Sequence, residues 1–139
     1  MASDPILLGV AHIRVFSMPS EWPAAVAFYR DALALDEIYT DPDAGVAVFE
    51  CGGDVTLGLE RVEADDPEEW ETAGRFTGIS FRVADIERAY NILSGRGVVF
   101  DGAPERMDWG GILAHFEDPA GNVLTLVQEP TDADLLGAG

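Results

Sequence analysis

The chain has 139 residues, of which 47% are apolar, enough for one domain with a sizeable core and too many for a disordered chain. Twenty-six acids face eight bases, every one an arginine, giving a formal charge of −18; such a surface repels phosphate backbones, and the missing lysine removes Schiff-base chemistry and the lysine of a phosphate loop. No run of about 18 apolar residues exists for a membrane span, residues 1–9 lack the basic and apolar regions of a secretion signal, and the single cysteine, Cys51, fits a reducing cytoplasm.

In chain order, His12-Ile13-Arg14-Val15 opens a first strand. A helix is predicted after Ser20, with Pro23 tolerated in its first turn and Trp22, Val26, Tyr29 and Leu33 as its buried stripe, widened by Phe28. Residues 46–50 and 55–60 alternate with period two around Cys51-Gly52-Gly53, the pattern of a hairpin with a glycine turn. A polar, acidic stretch follows at 65–71.

Gly78-Ile79-Ser80-Phe81 opens the next strand, and Ile86, Ala89, Tyr90 and Leu93 then share one helical face. Asp85 stands at the N-cap and Gly95 near the stop. Residues 97–101 and 111–117 read as strands. Asp118-Pro119-Ala120-Gly121-Asn122 reads as a tight turn, in which proline fixes φ and glycine permits a positive one. Residues 123–128 return as the last strand, and the acidic, small-residue tail at 131–139 is expected to fray.

The order strand, helix, three strands therefore occurs twice. Ala25-Val26-Ala27-Phe28-Tyr29 in one copy answers Ile86-Glu87-Arg88-Ala89-Tyr90 in the other. The reading is an α+β chain of two tandem βαβββ modules: module 1 at about 6–64, a linker at 65–74, module 2 at about 75–129 and a tail at 130–139. Each half is small to stand alone.

This duplication resembles the vicinal oxygen chelate superfamily of glyoxalase I, bleomycin-resistance proteins and extradiol dioxygenases. Three stretches carry the resemblance in the right order: residues 25–33, residues 81–90, and the turn at 118–122 preceded by Trp109-Gly110-Gly111. It implies a curled, open mixed β-sheet around a cavity, commonly in a homodimer. In metal-dependent relatives four inward side chains, usually His, Glu or Gln, His and Glu, hold a divalent ion. Those positions fall here on His12, Gly58, Gly78 and Thr125. One ligand of four remains, and zinc needs at least three, so no metal or other cofactor is expected.

Within such a cavity the alternation from His12 puts Arg14 and Phe16 on its face, with Ile13 and Val15 toward the helices. Val123, Thr125 and Val127 share the cavity face of the last strand. His115 points inward because Ala114 and Phe116 form the packing side. His12 and His115 are the candidate acid–base pair, with Glu60, two residues beyond Gly58 on the same strand face, as an orienting carboxylate. Arg14 has two readings, a clamp for a ligand oxyanion or the ion-pair partner of Glu60. Phe16, Thr125 and Trp109 complete the candidate ligand-binding set, Trp109 by stacking on a planar ligand. Trp22 and Trp70 are candidate lids.

The leading expectation is a metal-independent protein of the glyoxalase/bleomycin-resistance type that binds a small organic molecule, with sequestration of a toxic compound as the role the resemblance implies and an acidic surface suited to a cationic drug. The first alternative is a metal-free lyase or isomerase using His12 and Glu60. The second is a divalent-metal enzyme of the glyoxalase or dioxygenase kind. Fold alone does not choose among them.

Overall fold

The computed structural model describes residues 5–132; most of the expected fraying tail lies outside them. Two mixed sheets form, without closing into a barrel. In the first, β1 (His12–Ser17), β2 (Asp36–Asp41), β3 (Val46–Glu50) and β4 (Thr56–Arg61) are ordered β1-β4-β3-β2. In the second, β5 (Phe76–Arg82), β6 (Val99–Phe100), β8 (Ile112–Glu117) and β9 (Val123–Gln128) run β5-β9-β8-β6, and the short β7 (Glu105–Arg106) pairs with β8. In both sheets the first strand lies parallel beside the last, so the duplication in sequence reappears as duplicated topology. Each parallel pairing requires a crossover, which the helices provide.

The helices cover one side of the sheets. α1 (Trp22–Ala27) begins with proline in its first turn and passes directly into a wider π-helical turn, Phe28–Ala32. The amide of Leu33 donates to the carbonyl of Phe28, five residues back. A 3.6-residue period does not anticipate this turn. Trp22, Val26 and Tyr29 are buried as the stripe requires, and Leu33 is half-buried. α3 (Ile86–Gly95) starts at Asp85, whose carboxylate accepts from the Arg88 amide at 3.2 Å. A single turn, α2 (Pro67–Trp70), interrupts the linker, with Asp66 as its cap.

One continuous core lies beneath the helices. Val15, Ala47, Phe49, Leu57 and Leu59 from the first sheet meet Ala114, Phe116, Leu124 and Leu126 from the second. Burying each large side chain contributes roughly 1.5–3 kcal/mol. Trp22 is 5% exposed in this core, which corrects its reading as a lid. The strand expected over 97–101 shortens to Val99–Phe100, because Gly97 takes φ +91° on leaving α3; Val98 is buried in the core and Phe100 packs onto Tyr90 and Phe116. Among the described residues no helix is long and apolar enough to cross a membrane.

The sheets meet where β1 approaches the start of β5. Phe16 and Ala73 form one parallel bridge there, and the turn at 118–122 locks it. Asn122, fully buried, donates from Nδ2 to the Phe16 carbonyl at 2.8 Å and to Asp118 Oδ2 at 3.0 Å. Its Oδ1 accepts from the amides of Gly74 and Arg75. The Tyr29 hydroxyl, also buried, donates to Asp118 Oδ2 at 2.6 Å. Burial, reinforced by the Asp118 carboxylate, pushes the phenol well above its ordinary range. The predicted turn is therefore also the fastener between the two sheets.

Candidate functional site

Period-two alternation leaves the other side of each sheet uncovered by helices. On β1, Val15 is 1% exposed in the core, while His12 and Arg14 are exposed on the opposite face and Phe16 is half-buried there. On β8 and β9 the buried Ala114, Phe116, Leu124 and Leu126 alternate with His115 and Thr125.

Each histidine is joined to a threonine on the neighbouring strand. Registry sets His12 opposite Thr56, and His12 Nδ1 shares a 2.6 Å hydrogen bond with Thr56 Oγ1. His115 stands opposite Thr125, with Nδ1 and Oγ1 2.8 Å apart. The partner of His12 is thus a hydroxyl and not the carboxylate of Glu60. Glu60 lies four residues beyond Thr56 on β4 and interacts with His12 only through its charge, the smallest of the influences on that carboxylate.

Glu60 is engaged instead by Arg14, as the ion-pair reading of that arginine required. The guanidinium donates from Nε to one carboxylate oxygen and from Nη2 to the other, the latter at 2.9 Å. These hydrogen bonds and the charge of Arg14 hold Glu60 below the usual carboxylate range, and Glu60 raises Arg14 in return.

The positions that hold an ion in metal-dependent relatives do not fit one here. A Cβ built on Gly58 would lie 2.7 Å from His12 Nε2, so the imidazole fills the space a ligating side chain at 58 would need. Gly78 sits at φ +74° in a register irregularity of β5 between Phe76 and Ser80. A side chain there would require a left-handed backbone. Thr125 is buried with its hydroxyl committed to His115. Among the described residues no three His, Cys, Asp or Glu side chains lie close enough to hold a metal ion.

Between β1 and β5, beyond the Phe16–Ala73 bridge, a cavity of about 330 Å³ opens, lined by Arg14, Phe16, Arg75, Phe76 and Asn122 among others. This size falls at the lower end of small-molecule sites. The Arg14 guanidinium lies 5.4 Å over the Phe16 ring. Phe76, 61% exposed, meets His115 edge-on at 5.9 Å, which links the cavity to the second histidine. Farther along the same seam a second cavity of about 610 Å³ is lined by Ile13, Val55, Ile79, Phe81 and Arg82 with the glycine turn at 52–53.

Arg75 and Phe76 were not anticipated from sequence. Phe76 lies two residues before Gly78, the spacing of one strand face, but the predicted strand began at 78. Trp109, 52% exposed, lies against Gly111, where its ring would clash with an added Cβ, and lines neither seam cavity. Burial pushes the Cys51 thiol up, and its Sγ contacts the Val55 carbonyl at 3.1 Å, features of a structural and not a nucleophilic thiol.

Comparison with known proteins adds lineage to this geometry. The family profile of the Glyoxalase/Bleomycin resistance protein/Dioxygenase superfamily matches residues 9–126. The Bacillus subtilis (strain 168) protein YraH is 25% identical over 122 residues, covering 82% of this chain and 94% of YraH. A superfamily member from Sphaerobacter thermophilus DSM 20745 superposes with a TM-score of 0.72 at 29% identity, over 90% of this chain and all of that one. TnmS3, an antibiotic-binding protein from Streptomyces sp. CB03234, does so at 0.72 and 27%, over 92% of this chain and all of TnmS3.

Proposed function

The chain belongs to the Glyoxalase/Bleomycin resistance protein/Dioxygenase superfamily, and from that premise we propose that it is a metal-independent protein that binds a small organic molecule. The observation that carries this reading is the cavity between β1 and β5, a space of ligand size whose lining includes two phenylalanines and two arginines. The likeness to an antibiotic-binding protein supports it and makes sequestration of a toxic compound the natural role.

The acid–base alternative asks His12 and Glu60 to act together. It is disfavoured because Arg14 takes both carboxylate oxygens and Thr56 takes Nδ1 of the histidine. The metal-enzyme alternative is disfavoured by the donor set, since glycine at 58 and 78 supplies no ligand atom.

The proposal includes a homodimer in a reducing, cytoplasmic setting. Ile6, Leu7, Leu8 and Val10 precede β1 in a row and are each at least 66% exposed; an apolar run so open favours covering by a second copy.

Ligand-observed NMR with a library of one- and two-ring compounds tests the reading. Hits should survive exhaustive chelation and weaken about tenfold or more in Phe76→Ala, the loss of one well-placed aromatic contact. Hits that appear only after adding Zn²⁺, Ni²⁺ or Fe²⁺ would overturn metal independence. Hits indifferent to Phe76→Ala would move the site elsewhere.

A further inference from the structure

Resting on that reading, we infer that the seam cavity selects an anion: a flat, ring-bearing carboxylate whose charge is received by Arg75. Over the whole chain acids outnumber bases by more than three to one, so a randomly placed pocket would be acidic. The lining of this one contains two arginines and no acid. The lining of the neighbouring cavity also holds no acid, although its Arg82 is paired with Glu129 at 2.9 Å. The unpaired charge at the first cavity, that of Arg75, is therefore opposite in sign to the charge of the whole chain, which turns the initial expectation of a cationic ligand around.

The two guanidiniums at the first cavity are not equivalent. Arg14 spends Nε and Nη2 on Glu60 and is largely neutralised as a pair. Arg75 makes no ion pair among the described residues, and it is an exposed residue of the cavity lining. Its backbone is nevertheless held, because the amide donates to Asn122 Oδ1 and the carbonyl accepts from Val123. A free guanidinium on a fixed backbone suits bidentate reception of a carboxylate. Phe16 and Phe76 provide the apolar faces for the attached ring, and Arg14 retains its unused Nη1 for a second hydrogen bond. A ring-bearing ammonium in the same place would meet the unpaired charge of Arg75 with no acid of the lining to offset it.

The experiment compares three probes of one shape by calorimetry and by amide shifts: 2-naphthoate, neutral 2-naphthamide and cationic 2-naphthylmethylammonium. The carboxylate should bind about tenfold or more tighter than the amide, and the ammonium weakest, as expected for one added charge-assisted hydrogen-bond pair. Arg75→Gln, which keeps the anchored backbone, should erase the carboxylate's advantage, bringing the ratio of naphthoate to naphthamide affinity to about one. Ammonium binding as tight as carboxylate, with Phe76→Ala still weakening both, would overturn anion selectivity while the small-molecule reading stands. So would a carboxylate advantage that survives Arg75→Gln. Failure of all three probes to give saturable shifts at the seam would overturn both.

Discussion

At one end of the β1–β5 seam the side chain of Asn122 is wholly buried with donors and acceptor committed, while a few residues away Arg75 extends an uncommitted guanidinium beside an open cavity. The two regions contain similar chemistry: amides, carboxylates and a charged or hydroxylated partner. What separates them is water. At the fastened end Tyr29, Asp118 and Asn122 form a closed set, and an unmet group there would carry its full desolvation cost. At the open end Arg14 is 55% exposed in its side chain and Glu60 26%, so the ion pair can be broken by a ligand at little cost. Structure resides at the fastened end, and the proposed recognition at the open one.

The contrast yields a graded series of tests. The largest effect is expected from Asn122→Ala, which removes the bonds to Phe16, Gly74, Arg75 and Asp118 together. Urea unfolding should show a loss of about 3 kcal/mol or more, and a loss below about 1 kcal/mol would dissolve the distinction between the two ends. Tyr29→Phe should cost about 1.5–3 kcal/mol, the worth of a hydrogen bond to a charged acceptor. Because the folded phenol is raised, its contribution is complete below the unfolded value of about 10 and is lost as pH climbs through the folded one. The alkaline fall in stability should therefore be shallower in the phenylalanine variant.

Glu60→Gln should change stability least, by under about 1 kcal/mol. Its sign is opposite in pH: the folded carboxylate is lowered, so its contribution is present above about pH 4.3 and disappears as pH falls through the folded value. Acid titration of the glutamine variant should be slightly flatter than wild type. A steeper acid limb would mean that Arg14 gains nothing from its partner.

Legibility in the sequence followed the same physics. β9 over Val123–Gln128, α3 with its Asp85 cap and the turn at 118–122 were all readable, since buried alternation, capping and turn chemistry leave local marks. β2 over Asp36–Asp41 left none, because it is an edge strand with both faces largely exposed and no alternation to detect. The faces of β1 were readable from His12 onward. The pair of Arg14 with Glu60 was one of the two readings of that arginine, but the partner of His12 was not readable, because its pairing with Thr56 depends on the parallel register of β1 and β4, which composition does not encode. Arg75 and Phe76 were hidden by the irregularity of β5, which breaks the period that would have placed them.

The two glycines at 58 and 78 act as a ratchet on this lineage's chemistry. A carboxylate grafted at 58 must first evict the imidazole resting in its place, and any L-residue at 78 must tolerate a left-handed backbone costing about 1–2 kcal/mol. Each change alone lowers stability and delivers no working centre. Engineers hoping to convert the scaffold into a metalloenzyme should therefore rebuild both strands at once.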